Sequence, residues 1–300
     1  MLLAAENRKT LACSQCLLTA SSHGTIIVPM RKTKKIGIVG CGTIGRKMAV
    51  ELDRESVQGA SLVALNSRDM AKAAKFANSL RNPPQMLPLH DLVAISDLVV
   101  EAATGDALDE IATTTLNAGK DLMALSCGAL LDRDDLFDLA WKNDATIYVP
   151  SGAIIGLDGV ISATAGRIDS ITMVTRKPPD GLRGTPGVEQ AGVDIDSITE
   201  PTVVYEGDVK EACRLFPANV NVSAALSLAG IGPHKTTIRI YADPTVTRNT
   251  HEIIVEGEFG RFWIKIENVP SPTNPKTGVL PALSALATLR KITSHVQIGT

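Results

Sequence analysis

The stretch Lys35-Ile-Gly-Ile-Val-Gly-Cys-Gly-Thr-Ile-Gly45 decides the fold of this chain. Its first half, Ile36 to Gly40, is a short apolar run of the kind that forms a buried strand. From Thr43 to Arg54, apolar side chains recur at the spacing of one helix face. The turn between them has the spacing Gly-x-Gly-x-x-Gly. The stretch therefore predicts a strand, a glycine-rich turn and a helix in immediate succession.

Each of the three glycines has a physical role in binding a dinucleotide. Gly40 allows a tight turn, Gly42 lets the backbone approach a pyrophosphate, and Gly45 lets the helix pack closely on the strand. The first N–H groups of the helix carry a partial positive charge toward the anion, so Thr43 and Ile44 are candidate contacts as well. We therefore expect NAD or NADP to bind here.

The end of the second predicted strand bears on the choice between these two cofactors. An acidic residue that holds the ribose 2′-hydroxyl of NAD belongs there, about 20 residues after the glycines. The chain instead has Asn66-Ser67-Arg68. Asn66 and Ser67 can hydrogen-bond a ribose or a 2′-phosphate, and Arg68 can pair with that phosphate. This favours NADP or dual use, with the alternative that Arg68 stacks on adenine or faces solvent while NAD binds.

Strand-like and helix-like segments alternate up to Val149. This pattern predicts a Rossmann-type doubly wound parallel sheet in residues 30–150, an α/β domain. Ligands of such sheets bind at the carboxyl ends of the strands. Small residues follow three of the predicted strands there, and we take them as candidate cofactor contacts: Thr104, Ser126 and Ala153.

The segments after residue 150 differ from the first domain in composition and in predicted secondary structure. Residues 151–279 predict an α+β domain with a mixed or antiparallel sheet. Its stretch 177–196 is rich in Pro and Gly, its stretch 268–276 is rich in Pro, and both are predicted to be loops. Residues 280–300 contain an amphipathic helix that we expect to return to the first domain, and residues 1–29 predict a flexible extension.

Composition narrows the class of ligand. Lys and Arg total 30 against 32 Asp and Glu, a net charge of −2, which argues against nucleic acid because phosphate backbones require a positive surplus. No apolar run has the 18 or so residues that a membrane span needs. The five scattered cysteines favour reduced thiols in a cytoplasmic protein, and the lone Cys13-x-x-Cys16 is a weak metal or redox signal. We expect no metal and a small-molecule substrate.

Two side chains are candidates for the chemistry. His251 opens a predicted strand of the second domain, and imidazole suits general acid–base work near neutral pH. Cys127 follows the fifth predicted strand and could act as an acylating nucleophile, as in a semialdehyde dehydrogenase. The competing interpretation of Cys127 is a small buried apolar residue, since no base or cation is close in the sequence.

Seven segments together resemble the L-aspartate dehydrogenase family, in order from about Lys34 to Ile292. They are Gly40-Cys-Gly-Thr-Ile-Gly45, Ser126-Cys-Gly-Ala-Leu130, Ser151-Gly-Ala-Ile-Ile-Gly-Leu-Asp158, Phe216-Pro-Ala-Asn-Val-Asn-Val222, Ala242-Asp-Pro244, Arg248-Asn-Thr-His-Glu252 and Glu267-Asn-Val-Pro-Ser-Pro-Thr-Asn-Pro-Lys-Thr277. Most of these segments are weak signals individually, whereas their order and spacing together are specific.

The resemblance implies reversible NAD(P)-dependent oxidative deamination of L-aspartate to iminoaspartate, which yields oxaloacetate and ammonia or feeds NAD biosynthesis. It places the catalytic histidine on His251 and cofactor contacts on Ala153 and Asn221. It also implies a homodimer, with substrate binding and dimerisation in residues 151–279. For the substrate carboxylates, the candidates near these segments are Arg248, Lys276 and His234. Another NAD(P) dehydrogenase, of homoserine or semialdehyde type, and a non-catalytic dinucleotide-binding module are the alternatives.

Overall fold

A six-stranded parallel sheet forms the first half of the fold. The computed structural model describes residues 33–217, 221–271 and 274–300. The sheet has the strand order β3-β2-β1-β4-β5-β6, which is the doubly wound arrangement. Its strands are β1 (Lys34–Val39), β2 (Ala60–Asn66), β3 (Gln85–Met86), β4 (Leu98–Glu101), β5 (Asp121–Ala124) and β6 (Ile147–Tyr148). All their pairings are parallel.

Helices cover both faces of this sheet, and each face has its own apolar core. The helices are α1 (Thr43–Asp53), α2 (Met70–Ala77), α3 (Leu89–Ile95), α4 (Gly105–Asn117) and α5 (Asp134–Lys142). The four residues of β4 are all buried, as expected for a central strand covered on both faces. The predicted fold class is therefore confirmed for this half.

The second sheet is mixed, as predicted. Its order is β11-β10-β7-β9-β8, in which β7 and β9 pair in parallel and the other pairs are antiparallel. The strands are β7 (Ile168–Lys177), β8 (Thr202–Asp208), β9 (Thr236–Ala242), β10 (Asn249–Gly257) and β11 (Gly260–Asn268). The accompanying helices are α6 (Leu157–Ala163), α7 (Pro186–Ala191), α8 (Val209–Leu215) and α9 (Asn221–Ala229).

The chain ends with a short two-stranded sheet and a helix, namely β12 (Pro270–Ser271), β13 (Asn274–Gly278) and α10 (Leu280–Thr293). Ala285, Leu286 and Leu289 of α10 are buried in the same apolar cluster as Met48 and Leu52 of α1. The last helix thus packs on the first sheet. Among the described helices, none combines the length and the apolar character that crossing a membrane requires.

Two predicted loops were wrong. Strand β7 runs to Lys177, and residues 186–191 form helix α7 inside the Pro- and Gly-rich stretch. Pro186 is tolerated because it is the first helical residue, whose N–H needs no partner, and Gly192 ends the helix at φ +65°. Within 268–276, strands β12 and β13 pair where a loop was expected, and β8 was not foreseen at all. The predictions on residues 1–29, including Cys13 and Cys16, lie outside the described residues.

Candidate active site

The glycine-rich turn leaves no room for side chains at two of its three glycines. Gly40 adopts φ +111°, and a Cβ there would lie 2.3 Å from the carbonyl oxygen of Ala102. A Cβ on Gly45 would lie 2.0 Å from the carbonyl oxygen of Gly40. Only glycine therefore lets β1 turn and lets α1 pack against the turn.

The third glycine borders open space. A Cβ on Gly42 would meet nothing within 4 Å, and this residue immediately precedes α1. In the described structure no side chain caps this helix end and its first turn carries no acidic residue. The helix thus begins with N–H groups facing a space that a phosphate can enter, so this turn fits the pyrophosphate of a dinucleotide.

A groove of about 800 Å³ extends from this turn along the carboxyl ends of β1, β2 and β4. Six of the predicted cofactor contacts are Gly40, Gly42, Asn66, Ser67, Arg68 and Thr104, and all six line the groove. The Asn66 Nδ2 donates to the Leu87 carbonyl oxygen at 2.7 Å, which leaves its Oδ1 as an acceptor suited to a ribose hydroxyl. Arg46 and Lys72 also line the groove and add positive charge near the predicted adenosine end.

A smaller cavity of about 220 Å³ adjoins the turn and is lined by residues from both halves of the fold. Ile44 and Cys127 come from the first half of the fold, and Ala153, Asn221 and His251 from the second half. The Asn221 Oδ1 accepts a hydrogen bond from the Gly128 backbone N–H at 3.1 Å, which joins α9 to the segment after β5. Four of the predicted site residues, Ile44, Ala153, Asn221 and His251, are thus brought together here.

His251 is buried in β10, with 3% of its surface exposed. It pairs with Thr175 of β7, and its Nδ1 lies 3.1 Å from the Thr175 Oγ1. This contact leaves Nε2 as the ring nitrogen for proton transfer. Burial, with the nearby charge of Lys177, lowers the pKa of His251 to about 3, so the imidazole is neutral and able to accept a proton.

Lys177 is a cavity residue that the sequence analysis missed. It is 5% exposed and ends β7, where Ile171, Met173 and Thr175 alternate with it on the buried face. Burial lowers the pKa of its ammonium group to about 8. Lys177 occupies the next buried-face position of a strand in which buried and less buried residues alternate, and this alternation could have identified it. The sequence instead predicted that a loop begins at Lys177.

Ser126 and its loop are held by a buried carboxylate. Glu101, at the end of β4, accepts hydrogen bonds from the backbone N–H groups of Ala103, Leu125 and Ser126 and from the Ser126 Oγ, at 2.9–3.1 Å. Burial raises the pKa of Glu101 above its ordinary value, although the four hydrogen bonds act in the opposite direction. Ser126, like Thr43 and Gly45, is not among the residues lining the groove or the cavity.

The remaining candidate residues either do not line the cavity or have a protonation state that does not fit the predicted role. Burial raises the pKa of Cys127 to about 12, helped by the charge of Glu101, so its thiol stays protonated and is not a nucleophile. Exposed His234 lies 3.7 Å from Asp132, and exposed Arg248 does not line the cavity. The side chain of Lys276 lies outside the described part of the structure. Among the described residues, no three His, Cys, Asp or Glu could hold a metal ion.

A phosphate-binding turn beside a cavity with a buried, neutral histidine defines an NAD(P)-binding oxidoreductase. Residues 40–150 match the family model described as the NAD binding domain of homoserine dehydrogenase, and residues 158–292 match that of the C-terminal part of aspartate dehydrogenase. The L-aspartate dehydrogenases of Methanosarcina mazei and Bradyrhizobium diazoefficiens are each 48% identical over 89% of this chain and 99% and 94% of their own lengths. The chain belongs to the L-aspartate dehydrogenase family.

A solved structure agrees with this assignment. The crystal structure of aspartate dehydrogenase from Thermotoga maritima superimposes with a TM-score of 0.68 and is 28% identical. The match covers 89% of this chain and 99% of that one. Both halves of the fold are therefore shared with that structure.

Proposed function

We propose that the protein catalyses the reversible NAD(P)-dependent oxidative deamination of L-aspartate to iminoaspartate, which water converts to oxaloacetate and ammonia or which enters NAD biosynthesis. The observation that carries this proposal is the cavity that holds His251 directly beside the dinucleotide groove, in a chain of this family. L-Aspartate is the substrate named for its relatives.

The cofactor is held by the chain's backbone more than by its charge. Gly40, Gly42 and the first N–H groups of α1, from Thr43 to Gly45, bind the pyrophosphate. Asn66, Ser67 and Arg68 bind the adenosine ribose, with or without a 2′-phosphate. Thr104, Ala153 and Asn221 border the nicotinamide end, and Ser126 orders the adjacent loop through Glu101. The bound cofactor supplies the acceptor for the hydride that leaves the substrate Cα.

His251 moves the protons. Because the imidazole is buried and neutral, it can take a proton from the substrate amine or from the water that attacks the imine carbon. Thr175 holds the ring through Nδ1, so that Nε2 keeps a fixed orientation toward the reacting atoms. In the reverse direction the same nitrogen returns the proton.

The roles of the domains, the oligomeric state and the cellular location are also proposals. We place substrate binding in residues 151–279 and cofactor binding in residues 30–150, with residues 280–300 returning to the latter. A homodimer is supported by the outer face of the second sheet, where Trp263 is 57% exposed and Val203 is 41% exposed. A cytoplasmic location is supported by Cys41, Cys127 and Cys213, which are free thiols.

The test is absorbance at the reduced-nicotinamide band with L-aspartate and each oxidised cofactor, then with oxaloacetate, ammonia and each reduced cofactor. We expect turnover in both directions. His251→Ala is expected to lose roughly 100-fold or more in kcat while it retains cofactor binding. Full activity in His251→Ala would remove the histidine from the mechanism, and an inactive wild type would refute the proposed reaction.

A further inference from the structure

The cavity beside the cofactor groove has a strongly one-sided charge. The proposed substrate carries two carboxylates, and each requires a cationic or N–H partner when it leaves water. Of the described residues that line the cavity, Lys177 alone carries a lysine or arginine head group. No aspartate or glutamate lines it within that same set.

Strand geometry aims Lys177 and His251 at the same space. Lys177 follows Thr175 by two positions on β7, so both side chains leave the strand on its buried face. Thr175 is directly opposite His251 on β10. The ammonium group therefore enters the cavity next to the imidazole, close enough that its charge lowers the pKa of His251.

We infer that Lys177 is a specificity-determining residue, which binds one carboxylate of the substrate while His251 serves the reacting amine and carbon. The inference rests on the proposed function and extends it to the choice of an amino acid with a second acidic group. In a site shielded from bulk water, hydrogen bonds between an ammonium group and a carboxylate are charge-assisted and strong, so the Lys177 head group is suited to bind this part of the substrate.

Three variants separate binding from folding. Lys177→Met keeps the length of the side chain and removes its charge, and we expect the KM for L-aspartate to rise roughly 10- to 100-fold. Lys177→Arg restores a cation and is expected to recover part of that loss. Lys235→Met, an exposed lysine in the turn before β9, is the control and should leave the KM unchanged. Cofactor affinity, followed by fluorescence of the reduced nicotinamide, should stay the same in all three.

Succinate binding tests the same group without turnover. Succinate has both carboxylates and no amine, so its calorimetric affinity in the presence of reduced cofactor reports on the carboxylate site alone. Since the pKa of Lys177 is about 8, wild-type affinity should fall as pH rises from 7 to 10. The other described titratable groups that line the cavity, His251 and Cys127, have pKa values of about 3 and about 12 and do not titrate in that window. Lys177→Met should bind weakly and without this pH dependence.

The outcomes are distinct. An unchanged KM and succinate affinity in Lys177→Met would overturn the inference while leaving the proposed reaction intact. Equal losses of cofactor and succinate affinity would also overturn it, because that pattern means a structural role. A wild type that binds succinate through Lys177 but does not oxidise L-aspartate would refute the proposed reaction alone. With L-asparagine as a second substrate, we expect Lys177→Met to impair the reaction of L-aspartate only, because Lys177 then binds the β-carboxylate. Equal effects on both substrates would place Lys177 on the α-carboxylate and would overturn its role in specificity.

Discussion

Glu101 offers the sharpest test of how the strand ends are held together, through the substitution Glu101→Gln. Its carboxylate is fully buried, with one oxygen accepting from the Ala103 N–H and the Ser126 Oγ and the other from the N–H groups of Leu125 and Ser126. A carboxamide has a single oxygen. The glutamine NH₂ must therefore take one of two positions. It faces either the two backbone N–H groups of Leu125 and Ser126, or the Ala103 N–H together with the Ser126 hydroxyl, which can rotate to accept a hydrogen bond.

The second orientation costs less, because only the Ala103 N–H loses its acceptor. A buried donor left without a partner costs about 1–3 kcal/mol. For a domain of this size that lowers the Tm by roughly 2–12 °C, at about 2–4 °C per kcal/mol. The loops after β4 and β5 also border the proposed cofactor site, so we expect the Kd for the reduced cofactor to rise as well.

Thermal unfolding by circular dichroism and fluorescence titration of the reduced cofactor measure the two effects. Glu200→Gln, at an exposed glutamate, is the matched control for the loss of one charge and should change neither. If Glu101→Gln unfolds at the wild-type temperature and binds cofactor with wild-type affinity, the carboxylate does not join the two loops and the reasoning fails.

Two further predictions concern the glycine-rich turn and the buried histidine. Gly42→Ala should fold normally, because its Cβ meets open space, but it should bind cofactor roughly 10- to 100-fold more weakly. Gly45→Ala should instead lose stability, because its Cβ would overlap the Gly40 carbonyl oxygen. Equal Tm values for the two variants, measured by calorimetry, would contradict this prediction. The pKa of His251 is about 3 in the folded state, so the unfolded state takes up a proton first as the pH falls below about 6.5. The free energy of unfolding should therefore be about 2 kcal/mol lower at pH 5 than at neutral pH. His251→Gln should show a smaller loss in urea unfolding at pH 7 and pH 5, and an identical loss would place the histidine pKa near its ordinary value.

The cofactor half of the fold was predictable because its signals are local. A strand, three spaced glycines and a helix lie within twenty residues, and the close contacts at Gly40 and Gly45 confirm the steric reason for two of these glycines. Apolar runs then mark each buried parallel strand. Helix α7 was missed because Pro and Gly were interpreted as breakers throughout 177–196, although Pro186 and Gly192 stand at the two positions where a helix accepts them.

The residues of the cavity were harder to predict because their proximity depends on pairing between distant strands. Thr175 and His251 are 76 positions apart, and only the register of β7 against β10 brings them together. No local pattern contains that register, and a shift of one residue would turn Lys177 to the opposite face of the sheet. Resemblance could point to His251 by its sequence neighbours, whereas Lys177 becomes visible only once the sheet is assembled.

The pairing of β7 with β10 also connects folding to chemistry. The same register buries His251, which keeps its imidazole neutral, and places Lys177 beside it, which further disfavours the protonated ring. When a carboxylate neutralises the Lys177 charge, that second effect weakens and the imidazole becomes a stronger base. If His251 is the proton acceptor, as proposed, substrate binding raises its proton affinity. A ligand without the carboxylate proposed to bind Lys177 is then held less tightly and also meets a weaker base.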